Sequence, residues 1–146
     1  MSERTIFQSM SHRHLVSLGP NANVREAACV MTQANCGSVV IVDSLGTLLG
    51  IVTERDLMSR VLAKGRSPET TLLNEVMTRN PICVKPETLV ADAVVIMIER
   101  GFRHLPILGP TDKLMGVFSV RDALPREIGN ALSLAEFNAQ VNDAVG

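Results

Sequence analysis

The chain has 146 residues, 46% of them hydrophobic and 20% charged, a composition that supports a folded core and excludes a largely disordered chain. Its 14 Lys and Arg against 15 Asp and Glu leave a net charge of -1, which excludes a nucleic-acid coat built on phosphate neutralisation. With no Trp or Tyr and 4 Phe, it also has few platforms for stacking single-stranded bases.

In chain order, Met1-Ser2-Glu3-Arg4-Thr5 lacks the apolar core of a secretory signal, and no apolar run approaches the roughly 18 to 20 residues of a membrane span. Leu15 to Leu18 reads as a short extended piece ended by Pro20. A helix is predicted over about Val24 to Gln33, with apolar residues three and four apart and Asn23 and Glu26 spaced as a capping box. An apolar strand, Val39 to Val42, leads through the turn Asp43-Ser44-Leu45-Gly46 into a second strand, Leu48 to Val52. A second helix is predicted from Thr53, and Lys64 to Thr71 is a connecting loop. The same series follows again: Ile82 to Val84 extended and ended by Pro86, a helix over Val90 to Arg100, strands Leu105 to Leu108 and Leu114 to Phe118 around Gly109-Pro110-Thr111-Asp112, and a helix from Ser119. In the tail, Ser133-Leu134-Ala135-Glu136 has capping-box spacing, and Leu134, Phe137 and Val141 follow a helical period.

The series is an internal duplication. Ser17 to Asp56 aligns without a gap on Cys83 to Asp122, at an offset of 66 residues. The identical pairs are Pro20/Pro86, Val24/Val90, Ala27/Ala93, Met31/Met97, Ile41/Ile107, Leu48/Leu114, Gly50/Gly116, Arg55/Arg121 and Asp56/Asp122, against roughly two or three from ordinary composition. With one insertion the match extends back to Met10-Ser11 on Met77-Thr78. The expected architecture is α+β, a β-α-β-β-α unit occurring twice. One such unit has little core of its own, so the two are expected to pack through their sheets about a pseudo-twofold axis. The expected boundaries are residues 6–66 and 72–124 for the repeats and 125–146 for a partly helical tail.

Each repeat places chemistry at the same corner. Thr53 and Ser119 stand where an N-cap belongs, three residues before Asp56 and Asp122. That spacing admits a purely structural reading, a hydroxyl and a carboxylate satisfying free backbone N–H groups. It equally admits anion binding, because a helix N-terminus offers donors and partial positive charge. Arg55 and Arg121, placed in both first turns, oppose the helix dipole unless an anion is present. The residues alone leave both readings open.

The arrangement resembles the tandem CBS-domain pair, or Bateman module, over about Ile6 to Leu124. The resemblance rests on Glu75-Val76-Met77-Thr78-Arg79-Asn80-Pro81, on Arg103-His104-Leu105-Pro106-Ile107, and on Gly50-Ile51-Val52-Thr53-Glu54-Arg55-Asp56 and Gly116-Val117-Phe118-Ser119-Val120-Arg121-Asp122. The last two fit that family's nucleotide motif, an apolar residue after Gly and then Ser/Thr three before Asp. The segment from Thr53 to Thr71 also looks like that of small stand-alone bacterial members. The resemblance implies an adenosine nucleotide as ligand (AMP, ADP or ATP, with NAD, S-adenosylmethionine or a cyclic dinucleotide as alternatives) in a cleft between the repeats. It implies that Asp56 and Asp122 take the ribose hydroxyls, since one carboxylate accepts two hydrogen bonds at once. Thr53 and Ser119 would meet phosphate, and Gly50 and Gly116 would leave room for close backbone approach. Arg103 and His104 would reach phosphate; the first repeat has Gly37 and Ser38 there, so the two sites are expected to be unequal. Ser17 and Cys83 occupy a ligand-near position, at which Cys83 departs from the usual Ser or Thr. Lys64 and Arg66 are more simply a solvated loop. A homodimer is implied, with any output acting in trans on another protein.

No nucleophile–base–orienter set, Walker loop or dinucleotide glycine motif is present, so the expected role is non-enzymatic. The alternative is an interaction scaffold with empty sites. His12-Arg13-His14 with Cys29, Cys36 or Cys83 matches no zinc spacing, and no metal is expected. Three unpaired cysteines fit a reducing, cytoplasmic compartment, with Cys29 expected as a small core residue and the methionines as core. No nucleic-acid or membrane partner is expected.

Overall fold

Alternating helical and strand periods in the sequence translate into six α-helices and six strands among the described residues, which in this computed structural model are 3–10 and 15–145. In chain order these are α1 (Ile6–Ser9), β1 (Ser17–Leu18), α2 (Val24–Ala34), β2 (Ser38–Val42), β3 (Leu48–Thr53), α3 (Glu54–Asp56), α4 (Leu73–Val76), β4 (Thr78–Arg79), α5 (Val90–Arg100), β5 (His104–Leu108), β6 (Leu114–Ser119) and α6 (Pro125–Val145). The fold is α+β, as the sequence predicts. Ser11 and His12-Arg13-His14 lie outside the described residues.

The chain divides into two compact units whose edges cross the linear repeats. One unit is His14–Ile82; the other joins the described part of Met1–Arg13 to Cys83–Gly146. Each repeat thus keeps its hairpin and its long helix but packs the short helix that precedes the other repeat. In one unit Asn23 bridges Leu72, Leu73 N donates to Ala22 O at 2.9 Å and Val24 N to Thr71 O at 3.0 Å. In the other, Thr5 bridges Leu89, Ile6 N donates to Thr88 O at 2.7 Å and Val90 N to Arg4 O at 2.9 Å. The same backbone frame therefore occurs twice.

In the His14–Ile82 unit the sheet order is β1-β2-β3-β4, with β1 parallel to β2 and the other neighbours antiparallel. Branched aliphatic residues suit these strands, and Val39, Val40, Ile41 and Val52 are fully buried. On α2, Val24, Ala27 and Met31 recur every three or four residues and bury one face in a cluster with Val39, Ile41 and Val52. Cys29 falls off that stripe and is exposed, which corrects its expected place in the core. Asn23 caps α2 by accepting from Glu26 N at 2.9 Å, and Asn35 ends the helix in the left-handed conformation, φ 51°.

In the other unit β5 and β6 form an antiparallel hairpin. Its register repeats that of β2 and β3 residue for residue: His104 faces Ser119 as Ser38 faces Thr53, and the irregularity after Ile107 matches that after Ile41. The extended piece predicted at Ile82 to Val84 is reduced to a single parallel bridge, Val84 to Ile107. Val40 N reaches Val16 O at 3.1 Å in the first unit, whereas the matching position in β5 is Pro106, which has no N–H to donate. Val90, Ala93, Val94 and Met97 of α5 are buried, and Gly101 ends that helix at φ 75°.

The second helices depart from expectation. After α3 the first repeat continues as a π-helical stretch, Leu57–Leu62, with Ala63 N bonded to Met58 O at 2.9 Å. After Ser119 the second repeat makes only a 3-10 turn, Val120–Asp122; Ala123 is then extended (φ −84°, ψ 145°) before α6 begins at Pro125. Pro125 suits a first helical position, where no N–H is needed, and biases Leu124 away from the helical region. The predicted cap at Ser133 is an interior position of the 21-residue α6, because Glu127 already accepts from Leu124 N at 2.7 Å and starts the helix there. Among methionines, Met31, Met77 and Met97 are buried, while Met58 is 59% exposed.

Candidate functional site

Each hairpin delivers a hydroxyl and a carboxylate to the corner where its second strand ends. At the first corner Asp56 Oδ2 accepts from Thr53 N at 2.9 Å and from Thr53 Oγ1 at 3.1 Å, and Thr53 Oγ1 accepts from Asp56 N at 3.3 Å. At the second, Asp122 Oδ2 accepts from Ser119 N at 2.9 Å, and Ser119 Oγ accepts from Arg121 N at 3.2 Å. Both corners are tied back to the start of their hairpin: Glu54 N donates to Gly37 O at 3.0 Å and Val120 N to Arg103 O at 3.3 Å. Asp56 is buried and Asp122 half-buried.

The expected residues of each repeat fall in one unit. Gly37, Ser38, Thr53, Arg55 and Asp56 meet at the first corner, with Ser38 buried opposite Thr53. Ser17 lies on β1, in register with Val40 and two residues along β2 from Ser38. Arg103, His104, Ser119, Arg121 and Asp122 meet at the second corner, with half-buried His104 opposite Ser119. Cys83 precedes the Val84 bridge. Burial, then the nearby Asp112 carboxylate, pushes its thiol up from the ordinary value, so Cys83 is held as a neutral thiol. Arg55, Arg103 and Arg121 are exposed. Arg66 is ion-paired to Glu75 at 2.8 Å, as a solvated loop residue would be.

An added Cβ at Gly50 or at Gly116 would meet other protein atoms. A Cβ on Gly50 would stand 2.6 Å from Thr78 O and 2.8 Å from Met77 Sδ. One on Gly116 would stand 3.3 Å from Met10 Cε. Met10 and Met77 are themselves repeat-related, so each glycine admits the methionine of a short helix.

Three residues escaped the sequence reading. Arg60 Nη1 donates to Val76 O at 2.9 Å and Met77 O at 3.3 Å, capping α4, while its Nε lies 3.5 Å from Asp56 Oδ1. Its repeat partner Arg126 stands at the same offset of 66, just past the aligned stretch, and that identity was the available sign. Arg4 and Glu127 form a two-bond pair, Nε to Oε2 at 3.0 Å and Nη2 to Oε1 at 2.7 Å. Hydrogen bonding to Arg4 holds the Glu127 carboxyl below its ordinary value, and the same bond raises Arg4. They lie 123 residues apart, and no local pattern links them. No group of three or more metal-ligating side chains occurs among the described residues, and none of their helices is long and apolar enough to cross a membrane.

Comparison with known proteins gives the family. The model described as "CBS domain" matches residues 7–63 and again 73–127. An uncharacterised protein of Methanopyrus kandleri is 33% identical over 81% of this chain and 60% of its own length. A 17.7 kDa protein of Acidianus ambivalens is 41% identical over 70% of this chain and 61% of its own. This chain thus spans about three-fifths of those relatives. Among solved structures, a CBS domain protein of Pyrobaculum aerophilum complexed with AMP superposes with a TM-score of 0.78 at 25% identity, covering 90% of this chain and 99% of that one. Two matched copies of the domain, and a corner geometry built twice at one spacing, place this chain in the CBS-domain family.

Proposed function

We propose that the protein is a non-enzymatic regulatory module that binds an adenosine nucleotide of the AMP, ADP or ATP class and signals in trans by a change of conformation. The observation that carries this reading is the corner made twice, in which a backbone N–H holds one carboxylate oxygen of Asp56 or Asp122 and so restrains the group's orientation. A carboxylate oriented in advance takes two vicinal hydroxyls without first being ordered. Asp56 and Asp122 are assigned to ribose, Thr53 and Ser119 to phosphate. Arg55, Arg121, Arg103 and His104 supply charge, and Ser17, Cys83, Gly37 and Ser38 line the approach. AMP in the Pyrobaculum aerophilum relative supports the ligand class.

A second reading has its own support, since the Thr53 hydroxyl and Asp56 already satisfy each other as a cap. Under it the protein is an interaction scaffold with empty corners. Thermal shift with AMP, ADP, ATP, NAD and S-adenosylmethionine separates the two. A true ligand at a hundred times its dissociation constant adds about 2.7 kcal/mol of stability. Asp56→Ala and Asp122→Ala each reduce that gain while the unliganded fold persists. No gain from any of the five, with both variants merely melting earlier, establishes the scaffold. Self-association is proposed through the exposed apolar residues Leu134, Phe137 and Val141 of α6, and sedimentation of Phe137→Glu tests it.

A further inference from the structure

The two corners share one backbone frame but are braced by different chemistry. At the first, Asp56 is continuous with helix: Leu57 is helical at φ −63°, ψ −39°, and the chain runs on into the π-helical stretch. The corner is held by its own helix. At the second, extended Ala123 severs Asp122 from α6, so the Asp122 carbonyl has no helical turn ahead to engage it. Arg4 fills that role. Its Nη2 donates to Asp122 O at 3.1 Å while the same guanidinium is gripped by Glu127, and Glu127 Oε1 also accepts from Leu124 N. The backbone of Arg4 is fixed in turn, since its carbonyl accepts from Val90 N at the start of α5. The positions matching Arg4 and Glu127 in the other unit are Thr71 and Val61, both buried and neither charged.

We infer that Arg4 is a positioning residue for the Asp122 corner: through Asp122 O and Glu127 it fixes the severed turn that aims the Asp122 carboxylate, and the Asp56 corner has no such dependence. In its binding consequence the inference rests on the nucleotide reading above; in its structural content it does not. Glu127 is 5% exposed, which makes removing Arg4 alone a risk to folding because a buried carboxylate would be left unpaired. The working variant is therefore the double change Arg4→Met with Glu127→Leu, which removes both charges and keeps side-chain volume. Arg4→Lys keeps the charge and loses the planar two-bond grip.

Two measurements test it. Hydrogen exchange of the full chain without nucleotide is read at the Ser119 and Leu124 amides, with Thr53 as internal reference. The double variant speeds exchange at Ser119 and Leu124 by about tenfold or more relative to Thr53, and Arg4→Lys falls between. Calorimetric titration with AMP is then run in Asp56→Ala and Asp122→Ala backgrounds. Losing the clasp weakens AMP binding about tenfold in the first background and leaves it unchanged in the second, a coupling of ordinary size. Unchanged exchange at Ser119, or equal acceleration at Thr53, overturns the inference whatever AMP does. Equal weakening in both backgrounds overturns it as well. If the unaltered chain binds none of AMP, ADP and ATP, the nucleotide reading fails, and the exchange result alone decides the clasp; if it binds ADP or ATP and not AMP, the same titration is run with that nucleotide.

Discussion

Adding one methyl group at Gly50 and at Gly116 tests whether the repeated glycine has the same job in both units. Neither position has a positive φ, so alanine meets no backbone penalty at either. At Gly50 the new Cβ would stand 2.6 Å from the Thr78 carbonyl oxygen, an atom fixed by the pairing of Gly50 with Arg79 across β3 and β4. Relief requires β4 to move, and overpacking of that kind costs about 2 kcal/mol. At Gly116 the nearest atom is Met10 Cε at 3.3 Å, the free end of a flexible side chain, which rotates away. There the reduced entropy of the unfolded chain offsets the contact, and Gly116→Ala comes within about 0.5 kcal/mol of neutral. Unfolding entropy for a chain of 146 residues converts 2 kcal/mol into a fall in Tm of about 6 °C for Gly50→Ala. Differential scanning calorimetry of both variants, with urea titration to check the sign, measures it. Equal destabilisation at the two sites would refute the reasoning, because only one of them faces backbone.

Acid should find Glu127. Its carboxyl lies below the ordinary 4.5 in the folded protein, so its stabilisation is complete above that value and is lost as pH falls through the lowered folded value. Glu127→Gln should therefore melt well below the parent at pH 7, with the difference narrowing only once pH falls below 4.5, and a difference that stays constant throughout acid titration would count against the pair. Thr53→Ala and Ser119→Ala should each cost about 1 kcal/mol in urea titration, since each hydroxyl accepts from a first-turn amide, Asp56 N at Thr53 and Arg121 N at Ser119; no change at either would count against the caps. Iodoacetamide at pH 8, followed by peptide mass spectrometry, should label exposed Cys29 first and Cys83 last, because burial and Asp112 keep the Cys83 thiol protonated; the reverse order would contradict the placement of both.

The duplication, the hairpins and the long helices were legible in the residue string because they rest on local periods. Val90–Arg100 forms a helix with the predicted limits, and β2 with β3 and β5 with β6 differ from expectation by a residue at an end. The hydroxyl–carboxylate corners were legible for the same reason, as their partners lie three residues apart. Other features depend on what a segment meets after long separation. Cys29 lost its expected place once a narrow stripe on α2 faced the sheet, and the extended piece before Pro86 shrank because Pro106 withholds a donor from across the hairpin. Gly50 lies against the Thr78 carbonyl and Met77, and Gly116 against the end of Met10, neighbours that no local pattern names.

The sequence by itself determined the repeat, its α+β character and the residue types at each corner, because neighbours in the chain set periods, caps and turns. Only the tertiary structure decided that each unit takes the short helix preceding the other repeat, and that Arg4 reaches Glu127 and the Asp122 carbonyl. The physical reason is that pairing at such distance is chosen by burial and by satisfying carbonyls left open at a broken turn. Those demands exist only once the chain has folded back on itself.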